Sequence, residues 1–215
     1  MTILSVREGL EYTLLGANDP ATVADVVAQS FTDGSEPTAL ALSLGPEDLK
    51  QFVDTLLPKF LEEGLSIVAR DGDTGELKGV QLNLELSLEM PIDPNQFAWA
   101  APLLALAGAL YEEYFQGQAP APGESVHLFM IGVPKSSRGK GIAQHLLDLS
   151  LERARERGYR RAVVEASGVI SQHLLHKAGF TTRIEIPYAT FEYEGRLPFS
   201  NTGAHPSVQL MDRDL

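Results

Sequence analysis

Arg138, Gly139, Lys140 and Gly141 stand between an apolar stretch, His127 to Val133, and a run in which Ile142, Leu146, Leu149 and Ala154 recur at helical spacing. Glycines placed where a helix begins suit one kind of chemistry. The first backbone N–H groups of a helix have no intrahelical partner, the positive end of its dipole faces outward, and residues without a Cβ let those donors close on an anion. The segment therefore reads as strand, phosphate cradle and helix start, and the ligand it implies is a phosphorylated cofactor. Lys135, Arg138 and Lys140 flank the loop, where their charge suits those phosphates. Two commoner cradles are excluded by spacing: the chain has no Gly-x-x-x-x-Gly-Lys-Ser/Thr, and no Gly-x-Gly-x-x-Gly opening a βαβ unit near its start.

What the chain does contain is Arg-x-x-Gly-x-Ala, as Arg138, Gly141 and Ala143, followed after a further strand and helix by Leu174-Leu175-His176-Lys177-Ala178-Gly179-Phe180. These two segments resemble the GCN5-related N-acetyltransferase (GNAT) family. Its coenzyme A loop reads Gln/Arg-x-x-Gly-x-Gly/Ala, and its next helix commonly ends in Lys-x-Gly-Phe. Within that family the chain is similar to the insect arylalkylamine, dopamine-type enzymes. They carry Asp-Glu-Pro-Leu after the first helix, Tyr-Arg-Gly-x-Gly-Ile-Ala in the loop and Ser-Ser-x-x-Ser entering the later helix. The matching residues here are Ser35-Glu36-Pro37-Thr38, Ser137 to Ala143, and Ser167-Gly168-Val169-Ile170-Ser171.

The resemblance implies a mixed α/β GNAT fold, with a central, mostly antiparallel twisted sheet of six to seven strands and helices on both faces. It implies acetyl-CoA as co-substrate and acetyl transfer to a primary amine, a small arylalkylamine first of all. Cofactor contacts are then expected at Ile131, Gly132, Val133, Arg138, Gly139, Lys140, Gly141, Ile142 and Ala143, and at Lys177 of the second motif. In the family the strand before the loop pairs with the pantetheine arm, one of its N–H groups faces the thioester carbonyl, and Gly132 would permit the close approach. Two alternatives stay open: acetylation of a protein N-terminus or lysine, and a non-catalytic module that senses acyl-CoA.

An alkylamine with the pKa of a Lys side chain, about 10.4, is neutral in roughly one molecule in a few thousand at pH 7, so the enzyme must take a proton. The resemblance assigns that task to Glu36, presented by Pro37; a carboxylate is a weak base unless partly buried. His127 is the second candidate, because an imidazole is intrinsically suited to the task, although a hydrogen-bonded histidine near a strand end is the plainer reading. For the leaving thiolate, many relatives use a Tyr where this chain has Leu175, and a frequent Asn is replaced by Gly168. Ser167 and Ser171, which match serines of the arylalkylamine enzymes, are expected to hydrogen-bond the thiolate or the pantetheine arm. A thiol leaving group, with pKa near 8.5, can also depart without an acid.

Composition narrows the classes further. The chain has 215 residues, 44% hydrophobic, which suits one ordinary domain over 1–215. It has no cysteine, so no disulfide, acyl-thiol intermediate or sulfur-based metal site is available, and its five histidines show no ligand spacing, so no metal is expected. A formal net charge of −12 disfavours nucleic acid. The apolar run Phe97 to Tyr111 is shorter than the roughly 20 residues of a membrane span and contains Pro102. With Arg7 and Glu8 ahead of any long apolar stretch, no secretory signal is expected, and the reading is cytoplasmic. Many relatives are dimers joined through late strands, which leaves a homodimer open.

To position the loop, the pattern predicts a strand over Leu10 to Leu15, a helix capped at Asp19-Pro20, a second from Pro46 to about Glu63, and a hairpin of Leu65 to Arg70 with Leu77 to Leu88. A helical insertion over Asn95 to Phe115, interrupted near Pro102, would help wall the substrate side; its aromatic residues Phe97, Trp99, Tyr111, Tyr114 and Phe115 suit either an aryl pocket or plain core. Then come a loop to Gly123, the strand to Val133, the cofactor helix, a strand over Arg161 to Glu165, a helix over Ile170 to Lys177 and closing strands to Met211.

Overall fold

The computed structural model describes residues 3–87, 92, 93 and 96–215. Leu88 and Asn95, where the sequence pattern ends a strand and begins the insertion, lie outside the described residues. The chain begins with β1 (Ile3–Arg7) and β2 (Leu10–Leu14), joined by a tight turn in which Glu8 and Gly9 both have positive φ, 52° and 78°. α1 (Pro20–Thr32) has its proline at the first helical position, where a missing N–H costs nothing. Asp19 precedes it as expected, but its carboxylate makes no capping bond; it accepts from the Gly16 N–H at 2.8 Å and pairs with Arg70 at 2.9 Å. A short α2 (Pro37–Ala41) and a long α3 (Pro46–Glu63) follow, the latter closed by Gly64 at φ 61°.

The hairpin is β3 (Ile67–Asp71) and β4 (Leu77–Glu85), turned by the Asp71 carboxylate, which accepts from the N–H groups of Asp73 and Thr74. A 3-10 turn leads into α4 (Ala101–Phe115). Pro102 does not interrupt this helix, because it falls in the first turn, where proline is tolerated. β5 (Ser125–Gly132), α5 (Ile142–Glu156), β6 (Arg161–Ala166), α6 (Val169–Lys177), β7 (Thr181–Pro187) and β8 (Ser207–Asp214) complete the chain.

The strands form one sheet in the order β1-β2-β3-β4-β5-β6-β8-β7, eight strands where six to seven are expected from the sequence. The addition is β1, a five-residue edge strand. Alternation along β3 sends Val68 to one face, against Val23, Val27, Phe52 and Phe60 of α1 and α3, and Ile67 and Ala69 to the other, against Ile142, Leu146 and Leu149 of α5. Helices thus cover both faces.

Every strand pair is antiparallel except β5 with β6. That parallel pairing spans only Ser125↔Arg161, Val126↔Ala162 and His127↔Val163. From Leu128 onward β5 stays with β4 and leaves β6, and at the same place the β4–β5 register slips, with Leu82 opposite Met130 and Asn83 opposite Leu128, so that Phe129 is bulged out. The sheet opens there into a cleft.

Candidate active site

The open edge of β5 and the N-terminus of α5 form one side of this cleft, and β6 with α6 the other. The enclosed space is about 560 Å³, lined among others by Ile131, Val133, Arg138, Gly139, Gly141 and Ala143. Gly139 and Gly141 have φ of 78° and 71°, and a Cβ at either would meet nothing within 4 Å. They are therefore required for backbone conformation, and the space in front of them is free. The His145 N–H makes the first bond of α5 to the Gly141 carbonyl at 3.0 Å. The preceding N–H groups of the helix are the donors that a diphosphate fits.

Arg138 is placed differently from the sequence expectation. Its Nε donates to the Val133 carbonyl at 3.0 Å, its Nη2 to the Ser30 carbonyl at 3.3 Å, and the same guanidinium pairs with Asp33 at 2.7 Å. It ties the loop to the end of α1. A Cβ at Gly132 would meet Ser30 Oγ at 3.3 Å and the Val27 Cα at 3.4 Å, so its missing side chain lets α1 approach the strand. Lys140 and Lys177 are exposed and are not among the residues lining the cleft, whereas Ile142 is buried beneath the cradle.

A second cavity, of about 810 Å³, lies against the first. Its walls are largely apolar and aromatic, including Phe31, Phe52, Trp99 and Phe129, and α4 closes one side through Leu103, Leu106 and Leu110. Of the insertion's aromatic residues, Trp99 and Tyr111 line this cavity; Phe97 is core, packed edge-on against Phe52, and the Tyr114 hydroxyl is turned away to Asp212. The two cavities share Phe31, Glu36, Phe129, Met130, Glu165 and Ser167.

Glu36 sits at this junction as the N-cap of α2. Its Oε2 accepts from the Ala39 N–H at 2.5 Å and from the Thr38 hydroxyl at 2.8 Å, and Pro37 at the first helical position fixes the turn. Ser167 also stands at the junction. Ser171 lines the coenzyme side only, and its hydroxyl donates to the Gly168 carbonyl at 2.8 Å, so the N-cap of α6 is Gly168 and not Ser167. Leu175, in the position of the missing Tyr, is buried on the wall of the cleft.

The sequence does not announce Glu165. It projects from β6, and its Oε2 lies 2.7 Å from Nε2 of His127, which is 6% exposed. The carboxylate accepts there, so His127 carries its proton on Nε2 and donates. Burial pushes the Glu165 carboxyl up, but the facing imidazole and the nearby Tyr111 hydroxyl more than offset this and hold it below its ordinary value. Burial, with Glu165 alongside, pushes the Tyr111 phenol well up, so it stays a neutral donor. Its hydroxyl is 3.5 Å from His127 Nε2. A general signal could have flagged the pair, since an acidic residue in an otherwise apolar strand, Ala162-Val163-Val164-Glu165-Ala166, needs a partner.

The cleft made where two parallel strands part thus has free helix-start N–H groups at its mouth and a carboxylate at its depth, on a mixed α/β scaffold. Residues 89–180, which include both walls of the cleft, match a sequence model of the Acetyltransferase (GNAT) family. Over that stretch the chain is similar to the acetyltransferases of the GNAT family. Its fold is shared by the C-terminal condensation domain of Ebony, solved with beta-alanyl-dopamine (TM-score 0.85, 17% identity, 96% of this chain and 99% of that one). It is shared by arylalkylamine N-acetyltransferase 2 from Aedes aegypti (0.74, 22%, 96% and 99%). It is also shared by a Drosophila melanogaster polyamine N-acetyltransferase that forms N-acetylagmatine (0.73, 17%, 96% and 100%). At these identities the likeness is one of fold. Among the described residues no group of three or more His, Cys, Asp or Glu is placed to hold a metal ion, and no helix is long and apolar enough to cross a membrane.

Proposed function

We propose that the chain transfers the acetyl group of acetyl-CoA to a small primary amine by direct attack in a ternary complex. The observation that carries this reading is the pair of cavities meeting at Glu36, Glu165 and Ser167: one fronted by the anion cradle, the other apolar and aromatic, with no Lys or Arg among its described lining residues. The names of the solved neighbours point the same way, to arylalkylamines, agmatine and dopamine as amide-forming amines. Closure of the second cavity by α4 favours a small acceptor over a protein terminus.

Acetyl-CoA, when bound, supplies an activated thioester carbonyl. The free N–H groups at the start of α5, with Gly139 and Gly141, hold its diphosphate, and the unpaired edge of β5 at Ile131 to Val133 holds the arm and presents a donor to the carbonyl. Glu36 takes the proton of the attacking amine; the cap geometry keeps its carboxylate at the junction. Ser167 and Ser171 hydrogen-bond the sulfur side. Thiol release from acetyl-CoA, followed across arylalkylamines, polyamines and short peptides, tests the reaction. We expect turnover with one class of small amine. Glu36→Gln should leave coenzyme affinity in place and lower kcat by about 10²–10⁴-fold; an unchanged kcat removes Glu36 from the role of base.

A further inference from the structure

We propose that His205 meets the leaving sulfur of coenzyme A: its imidazole, seated in the space that Gly168 leaves open, holds a fixed N–H donor on the wall of the coenzyme cleft. This rests on the acetyl-CoA reading and gives that site a donor where Leu175 offers none. The ring lines the cleft beside Gly168, Ile170 and Ser171 and is only half-buried, so it is open to a ligand there.

The Val169 N–H, the first of α6 and without a helical partner, donates to Nδ1 of His205 at 3.1 Å. An Nδ1 that accepts leaves the proton of the neutral ring on Nε2, which has no hydrogen-bond partner among the described residues. The backbone that presents the ring is held as well. The Thr202 hydroxyl donates to the His205 carbonyl at 2.7 Å, the His205 N–H donates to the Thr202 carbonyl at 3.3 Å, and the carbonyl of the next residue, Pro206, accepts from the Tyr188 N–H at 3.0 Å. Gly168 makes the room. Its φ of −131° and ψ of 157° suit any residue, so glycine is not needed there for the backbone. A Cβ would instead stand 3.2 Å from Nδ1 and 3.3 Å from Cε1 of the imidazole. The nearby Ser171 hydroxyl already donates to the Gly168 carbonyl at 2.8 Å and reaches the sulfur with its proton only by giving up that bond. In the transfer, the amine nitrogen bonds to the carbonyl carbon, the C–S bond breaks with its electron pair moving onto sulfur, and the amine proton goes to Glu36. The imidazole keeps its own proton and shares it with the sulfur as a hydrogen bond. Such a bond is about twice as strong to a charged acceptor as to a neutral one, so it favours the thiolate over the thioester.

Binding tests this contact without requiring turnover. Calorimetry compares coenzyme A with desulfo-coenzyme A, which lacks the sulfur, at pH 7 and pH 9, on either side of a thiol pKa of about 8.5. In wild type the preference for coenzyme A over the desulfo form should grow by about fivefold or more between the two, as thiolate replaces thiol. His205→Asn places a carbonyl oxygen where Nδ1 stood, which keeps the bond from Val169 and removes the donor; His205→Gln reaches the place of Nε2 with an amide N–H. The growth should be lost in the first variant and kept in the second. Growth that survives His205→Asn overturns the proposal, and its absence from wild type does so with no variant at all. Loss in both variants would assign the ring to capping α6 and overturn the donor role. Failure of either coenzyme to bind would count against the acetyl-CoA reading itself, whereas binding without turnover on any amine would count against amine acetylation and leave the comparison to decide the role of His205.

Discussion

Gly79 lies in the middle of β4, opposite Ala69 of β3, directly under the first turn of α5. A Cβ there would stand 2.8 Å from Ile142 Cγ2 and 3.1 Å from Leu146 Cδ1. Carbon atoms pack best at about 3.5–4.0 Å, so Gly79→Ala demands a displacement of Ile142 of about 0.7–1.2 Å. Leu146 can give at the end of its side chain. Ile142 cannot, because a β-branched side chain in a helix has one strongly preferred rotamer, and it is the residue on which α5 begins. The helix start must lift, and with it the N–H donors of the cradle.

Overpacking of this kind costs about 1–3 kcal/mol, offset by about 0.4–1 kcal/mol from the stiffer unfolded chain. A net loss of about 1–2 kcal/mol lowers the melting temperature of a chain this long by about 3–6 °C. Displacing one cradle donor forfeits about 0.5–1.5 kcal/mol, or about 2–10-fold in coenzyme affinity. Thermal unfolding and calorimetry with coenzyme A measure both. Gly108→Ala in α4, where an added Cβ meets nothing within 4 Å, is the control. A Gly79→Ala protein with the wild-type melting temperature and coenzyme affinity would refute the claim that β4 sets the height of the cradle.

Two further predictions concern carboxylates. Burial pushes Asp33 up, but its hydrogen bonds from Ser35 and the Arg138 guanidinium hold it below its ordinary 3.8; its stabilising contribution is therefore present above that value and lost as pH falls through the lower folded one. Asp33→Asn should remove this acid limb and, by leaving Arg138 only its Ser30 bond to α1, weaken coenzyme binding by up to about fivefold in calorimetry; unaltered binding would show that the Asp33 tie does not hold the loop. Glu63 has the opposite sign. Burial first, and then the Glu85 and Glu62 charges, raise it above 4.5 despite the Glu85 N–H bond and Lys59. Its contribution is fully present below 4.5 and declines as pH rises through the folded value. In urea unfolding followed against pH, Glu63→Gln should gain on the wild type across that window, and parallel curves would contradict the assignment.

The glycine turn at the start of α5 was legible because all its determinants are local: glycines needing positive φ, a helix pattern after them and an apolar strand before. Glu36 was legible as part of a short segment, but its capping bonds to Thr38 and Ala39 were not, since a five-residue helix leaves no periodicity to read. β1 escaped for the same reason, although Glu8-Gly9 before Leu10 is a hairpin signal at the right distance. Gly132 has a neighbour that its segment does not reveal. Its need for close approach could be inferred from the strand, but that the approaching group is Val27 of α1 depends on packing across more than a hundred residues. The His127–Glu165 pair failed similarly: the two are 38 positions apart and meet only because the parallel register sets His127 beside Val163, with Glu165 two residues further along the same face of β6.

The placement of that pair follows from where the sheet stops pairing. His127 is the last residue of β5 held by β6; one residue later the strands part, and Phe129 bulges into the gap. A carboxylate on β6 just past the parting point stands out from one face of the sheet. Here it faces the space shared by two cavities. The charges are sorted across the same line. Lys135, Arg138 and Lys140 lie on the cradle loop at the mouth of one cavity, while the other has carboxylates and no cationic side chain among its described lining residues. A diphosphate that reached the second cavity would meet Glu112 at its rim beside the shared Glu36 and Glu165, with no Lys or Arg among its described lining residues to offset them. On the proposed reading, two ligands of opposite sign would meet where the cavities share Glu36, Glu165 and Ser167.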